Sequence, residues 1–294
     1  MGEFLTSYWK AQLTQGLDEV KPRPGFEVVT MIVTVKAYPA IGRKNGEGVC
    51  VAGIRIDTPS PQWIRLFPVN FRGLDEIHQF KKWQVIRLRV QRGTSDRRAE
   101  SYTPDLSTLQ LGQLVDTQSG TWERRWQIVD GLIDTYTACE FHSAGRAKGQ
   151  AAPSLGLITP AEIKGLEVGL NPDYLNQGSQ KHEQLSLFGE PVKFLEPPPF
   201  IAKYSYTCRE PSCRGHDQTL IDWESGVFAR KRIQAVGREA AMVEHHDKFL
   251  TQLCSPSNDT KFFLGNQHNY PHGFLVLGVF YPKKGSQPAA TLDF

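Results

Sequence analysis

Met31 to Asp57 reads MIVTVKAYPAIGRKNGEGVCVAGIRID, two runs rich in Val, Ile and Thr around the turn-prone segment Gly42 to Gly48. β-branched side chains favour extended backbone, and glycine permits the reversal between the runs. The stretch therefore predicts strand, loop, strand. Working outward, Gln62 to Phe67 (QWIRLF) and Trp83 to Val90 (WQVIRLRV) alternate apolar with polar or basic residues, the pattern of half-buried strands. Trp122 to Leu132 (WERRWQIVDGL) predicts a helix, and 153–168 (PSLGLITPAEIKGLEV) a closing turn and strand. Together these give a β-rich domain over 31–170, with five or six short strands and an OB-like barrel as its expected form. Residues 1–30 read as an N-terminal arm.

The chain changes character at 171–199, where Asn, Gln, Gly and Pro dominate without a period and Pro197 to Pro199 favour polyproline geometry. This predicts an inter-domain linker. The remainder, 200–294, predicts a ββαββ unit. Phe200 to Thr207 and Gln218 to Glu224 are its first strands, and Ser225 caps a helix running to about Leu253. Lys261 to Leu264 and Phe274 to Tyr281 follow as strands. The expected class is α+β, with a β-rich barrel followed by a zinc-stabilised ββαββ domain.

A chain of 294 residues with 39% hydrophobic content can bury real cores, which excludes global disorder. The formal charge of +3 permits a phosphate-binding face without demanding one. No apolar run reaches membrane-spanning length and the N-terminus lacks an apolar signal core, so no membrane partner and a cytoplasmic location are expected. Five cysteines, an odd count, argue against a disulfide framework.

Three of those cysteines lie in the last third. Cys208-x4-Cys213-x2-His216 has metal-ligand spacing around a tight polar turn, and thiolates with imidazole suit zinc. Four protein ligands close a structural site, and Cys254, at the end of the expected helix, is the fourth. His245 and His246 are fallback ligands. Asp222 and Glu224 would share a face of a strand, where two carboxylates could hold Mg²⁺ for phosphodiester cleavage. Glu239 or Glu244, Lys261, and His268 in the polar loop Gly265 to Gly273 would complete such a site. The competing reading is that Asp222 and Glu224 cap the following helix.

Gln184-Leu185-Ser186-Leu187-Phe188 supplies a register-setting glutamine followed by apolar anchors, in the order used by an extended docking peptide. It resembles the bacterial β-sliding-clamp-binding motif. From average composition the pattern arises by chance on the order of once per thousand chains of this length. The resemblance implies a β-clamp partner; the competing reading packs the same side chains onto a domain. The Cys-x4-Cys-Arg-Gly-His, Asp-Trp-Glu and Gly-Val-Phe-Tyr-Pro stretches resemble an uncharacterised prokaryotic zinc-motif family associated with mobile elements or phage defence. That likeness carries over no catalytic residue.

Basic residues cluster on and after one strand. Arg87 and Arg89 share a face, Trp83 is interleaved, and Arg97 and Arg98 follow, which suggests a phosphate-tracking surface for DNA. The expected function is a DNA-associated zinc protein recruited to the clamp for DNA maintenance or genome defence. The alternatives are a metal-dependent nuclease using Asp222 and Glu224, and a non-enzymatic sensor of a modified base or nucleotide.

Overall fold

The structure, a computed structural model, describes residues 5–38, 49–69, 79–93, 96, 98–147, 153–175 and 197–286. Five strands close a barrel: β1 (Glu27–Ala37), β2 (Val49–Arg55), β3 (Gln62–Val69), β4 (Gln84–Arg92) and β5 (Ser101–Leu114). Their order is β1-β2-β3-β5-β4, with β4 returning antiparallel to β1 and β3 meeting β5 in parallel. A barrel is the expected form, but its fifth strand is β5 at 101–114, a stretch not among the expected strands, and 153–168 takes no part in it. Its first strand starts at Glu27, a few residues before the first run quoted above.

The near-continuous apolar character of β1 and β2 has a physical cause, because both faces are buried. Val29, Met31 and Val33 point into the barrel with Val51, Ile64, Leu66, Ile86 and Leu88. Ile32, Val35, Ala52 and Ile54 point outward, against Phe263, Leu277 and Phe280 of a second sheet.

That sheet contains β6 (Leu155–Ile158), β7 (Glu162–Leu170), β8 (Phe200–Thr207), β9 (His216–Leu220), β10 (Lys261–Gln267) and β11 (Tyr270–Phe280), in the order β6-β10-β11-β9-β8-β7. Successive residues face opposite sides of a strand. Phe263 and Leu277 therefore meet the barrel, while Phe262 and Val276 join Tyr204, Tyr206, Phe141 and Phe249 on the far face. The α+β class with two β-rich halves holds, and the order β8, β9, helices, β10, β11 reproduces the expected ββαββ series.

Three boundaries differ from expectation. β6 and β7 belong to the second sheet, since β6 pairs with β10 and β7 with β8 over Glu162↔Thr207 to Leu170↔Phe200. The segment 171–199 thus joins two neighbouring strands and is not an inter-domain linker. Its composition marks a connection but cannot say that the chain returns to the same sheet. The N-terminal arm is also anchored. Thr6 caps α1 (Ser7–Leu13), and Leu5 and Leu13 are buried in the core between barrel and sheet.

The single helix expected over 225–253 is instead α5 (Trp223–Val236), α6 (Arg238–His246) and a π turn, Asp247–Gln252. Gly237, at φ 83° and ψ 172°, ends α5 in a backbone region open essentially to glycine alone. The N-cap is Asp222, not Ser225.

Gly53 lets β1 and β2 approach where the two faces are tightest. A methyl group there would stand 2.0 Å from the Ile32 carbonyl oxygen and 2.6 Å from the Met31 methyl. Gly53→Ala should cost about 3 kcal/mol of stability through overpacking. A urea midpoint within error of wild type would contradict this account of the barrel wall.

Candidate metal centre

Cys208 follows the last residue of β8, Cys213 sits in the tight turn, and His216 opens β9. The strand pairing Tyr206↔His216 brings them together. The fourth group is Cys139 of α3 (Ala138–Arg146), 69 residues earlier than Cys208. A capping box between Thr137 and Glu140 fixes the start of that helix and so aims Cys139.

The four ligand atoms lie within 4.8 Å of one another. Cys139 Sγ is 3.6 Å from Cys208 Sγ and 3.5 Å from His216 Nε2, and Cys213 Sγ is 3.3 Å from the same nitrogen. A tetrahedral ion with sulfur at ~2.3 Å and nitrogen at ~2.0 Å separates its ligand atoms by about 3.5–3.8 Å. These side chains are thus spaced to hold a metal ion.

The electrostatics fit the geometry. Burial and the adjacent Cys208 and Cys213 push the Cys139 thiol up to about 12, so gathering these thiolates calls for a cation. Burial lowers His216, which keeps the imidazole neutral and able to ligate. Around the centre, His142 stacks on His216 at 5.3 Å, and Gln218 links His142 to the Tyr206 hydroxyl.

Cys254 is not part of the cluster. Its Sγ lies 3.4 Å from the Phe249 carbonyl oxygen, and burial pushes the thiol up to about 12. His245 is also excluded. It is buried among Phe200, Phe228 and Phe249, bonded to Ser225 Oγ at 2.7 Å, and pushed down to about 4 by burial. His246 is exposed at the end of α6. Cys139 was missed because its partners are distant in sequence. The one available signal was a cysteine one turn before His142, inside the Thr137–Glu140 capping box.

The paired carboxylates do not share a strand face, because β9 ends at Leu220. Asp222 is the N-cap of α5, accepting from Glu224 N–H, and Glu224 lies in its first turn. Lys82 Nζ donates to both Asp222 oxygens at 2.7 and 2.6 Å and lies 3.6 Å from Glu224 Oε2. Burial works against the Lys82 charge, yet Asp222 and Glu224 outweigh it and hold the ammonium above its ordinary value. A lysine thus occupies the position a divalent cation would take. Glu244 pairs with Arg232 and Lys261 with Asp259. His268 lies in the β10–β11 turn against Asp96, apart from the two carboxylates.

The expected basic face is likewise committed internally. Arg87 and Arg89 do share the outer face of β4, but the N-terminal segment runs across it. Arg87 donates to Thr30 Oγ1 and to the Asp18 carbonyl, and Arg89 to Asp105 and the Lys21 carbonyl. Arg98 binds Asp96 and Asn266, holding Asp96 well below the usual carboxylate range despite its burial. Trp83 is buried between barrel and sheet. Arg97 and the peptide Gln184 to Phe188 lie outside the described residues. No helix among the described residues is long and apolar enough to cross a membrane.

A family model described as Domain of unknown function (DUF8757) matches residues 134–293. The chain belongs to this family. A second model, Domain of unknown function (DUF8758), matches 27–131. The division between the two models assigns β6 and β7 to the DUF8757 half, as their pairing does. Asp134, where that half begins, has φ 53°. No curated protein matches the chain.

Two outcomes are expected. Cys139→Ser should abolish stoichiometric metal in the purified chain while Cys254→Ala retains it, read by plasma mass spectrometry; the reverse ranking would exclude the assigned ligand set. Asp222→Ala removes a helix cap and leaves the buried Lys82 ammonium with Glu224 alone. It should cost about 3–5 kcal/mol by chemical denaturation.

Proposed function

We propose that the chain is a DNA-associated protein with a structural zinc ion, recruited to the β sliding clamp for DNA maintenance or genome defence. The observation that carries this reading is the pentapeptide Gln184 to Phe188 within the connection 171–199. The two ends of that connection are held side by side. Leu170 pairs with Phe200, and Asn171 donates from its backbone and side chain to the carbonyls of Pro199 and Pro198. A segment tethered at both ends to one sheet can present a short peptide to a partner without disturbing either half of the molecule.

Zinc is the ion favoured by three thiolates and an imidazole. A full set of four protein ligands leaves no position open for water, so the ion would brace the fold and supply no reacting group. The nuclease alternative has little support, because Lys82 fills the space between Asp222 and Glu224.

One observation favours ligand sensing as a second reading. A polar cleft of about 340 Å³ is lined by Trp126, Asp130, Asp134, Thr159, Arg209 and Lys261. The indole N–H of Trp126 and the hydroxyl of Thr159 are buried there without hydrogen-bond partners among the described residues. Nucleosides that raise the melting temperature in proportion to their concentration would favour it.

A synthetic peptide spanning 180–192 should bind purified β clamp with micromolar or tighter affinity. The full chain should lose clamp binding on Leu187→Ala/Phe188→Ala with its metal content unchanged. Absence of peptide binding beside a functioning positive control would overturn the recruitment reading.

A further inference from the structure

Trp83 and Trp122 are bulky aromatic residues held at positive φ, 65° and 60°. Such backbone is costly for a residue with a large side chain and persists only where the surroundings enforce it. The two residues come from distant parts of the chain, the turn before β4 and the position preceding α2 (Glu123–Val129), yet both rings face one side chain. The Arg125 guanidinium carbon lies 4.8 Å from the Trp83 ring centroid and 5.1 Å from that of Trp122. Arg125 Nε donates to the Val115 carbonyl at 3.0 Å, which fixes the plane of the group.

Arg125 forms no ion pair among the described residues. Asp116 and Glu224 are near enough to favour its charge but not to bond it, and burial still lowers the guanidinium to about 10. Asp116 already accepts from Gln118 N–H, and Glu224 is engaged by Lys82. The side chain remains partly exposed, unlike the two rings that hold it, and Arg124 beside it is exposed. Tyr281, edge-on to Trp122 at 4.9 Å, is also an electrostatic neighbour of the guanidinium. In contrast to Arg87, Arg89 and Arg98, which donate from their terminal nitrogens to the protein, Arg125 donates from Nε alone among the described residues.

We propose that Arg125, held between Trp83 and Trp122, is a phosphate-binding fork that contacts the backbone of nucleic acid, with Arg124 and Tyr281 at its border. The proposal rests on the DNA-association reading above and supplies its contact point. A guanidinium fixed in plane offers two parallel N–H donors that match two phosphate oxygens, with little conformational entropy left to lose. The same chemistry would accept the phosphate of a free nucleotide, so the test separates the two sources.

Binding of a fluorescently labelled 20-nucleotide single strand and of its duplex is measured by anisotropy across a salt series, with competition by AMP and by inorganic phosphate. Arg125→Gln should weaken nucleic-acid binding about tenfold and lower the salt slope by about one, while Arg87→Gln stays within about twofold of wild type. In the wild-type chain, nucleic acid should protect Arg125 from phenylglyoxal as mapped by mass spectrometry, a readout independent of how any variant folds. Protection by AMP at matched phosphate, with none by the strand or the duplex, would reassign the fork to free nucleotides and overturn the nucleic-acid contact. Equal binding by Arg125→Gln and wild type, or no protection by any phosphate compound, would reduce Arg125 to a packing residue. Clamp binding is assayed separately without DNA, where Arg125→Gln should match wild type. A failure of the clamp reading would appear there and leave the anisotropy result intact.

Discussion

The apolar seam between the barrel and the second sheet is the constraint from which the rest of the molecule follows. Phe280 lies within 5.4–5.6 Å of the rings of Trp83, Trp122 and Trp126, and Phe263 meets Trp63 edge-on at 6.1 Å. Each such aromatic pair contributes about 0.5–1.5 kcal/mol beyond the area it buries, so the seam is a core shared by both halves. It also covers the outer face of β2 and β3. In OB barrels that face commonly receives oligonucleotides. Here it receives protein, so any contact with nucleic acid has to lie elsewhere on the surface.

The metal centre acts on a different joint. Cys208, Cys213 and His216 belong to one hairpin and would be close together in any case, whereas Cys139 arrives on α3 from the stretch that follows the barrel. A metal bound there ties that helix across the far face of the sheet, where Phe141 and Ala138 pack beside Tyr204 and Tyr206. Binding energy of this kind becomes folding energy, because the unfolded chain holds no preformed site. The hairpin β7–β8 has the centre at one end and the connection 171–199 at the other.

Local patterns in the sequence were enough to find most of the strands and the hairpin ligands, since Val/Ile alternation and Cys-x4-Cys-x2-His act over a few residues; β5, at Ser101–Leu114, was not among them, because its Ser, Thr, Gln and Pro residues give no clear alternation. What they could not reveal depends on long-range pairing. β7 reads as a strand wherever it goes, and only its ladder with β8 assigns it to the second sheet. Cys254 sits at a helix end where a ligand would be convenient, but its sulfur turns toward the Phe249 carbonyl. Cys139 has no local ligand partner at all. The carboxylate pair was misplaced because the chain leaves the strand at Ile221, turning i,i+2 neighbours on a strand into a cap and its first helical turn. The cap alternative was already visible in the run Asp-Trp-Glu-Ser.

The basic residues follow the same logic. Counting arginines along β4 located charge but not its availability. A charged side chain half-buried against protein must find partners or lose more in desolvation than it gains, so most arginines in a folded chain are already satisfied. Arg87, Arg89 and Arg98 follow that rule. Arg125 departs from it: two tryptophans held in unfavourable backbone conformations position a cation and leave it without an acid. A packing role would have been met by an aliphatic side chain between the rings at lower cost. The retained charge, on a partly exposed side chain with no ion pair among the described residues, is therefore more economically explained by a ligand than by the fold.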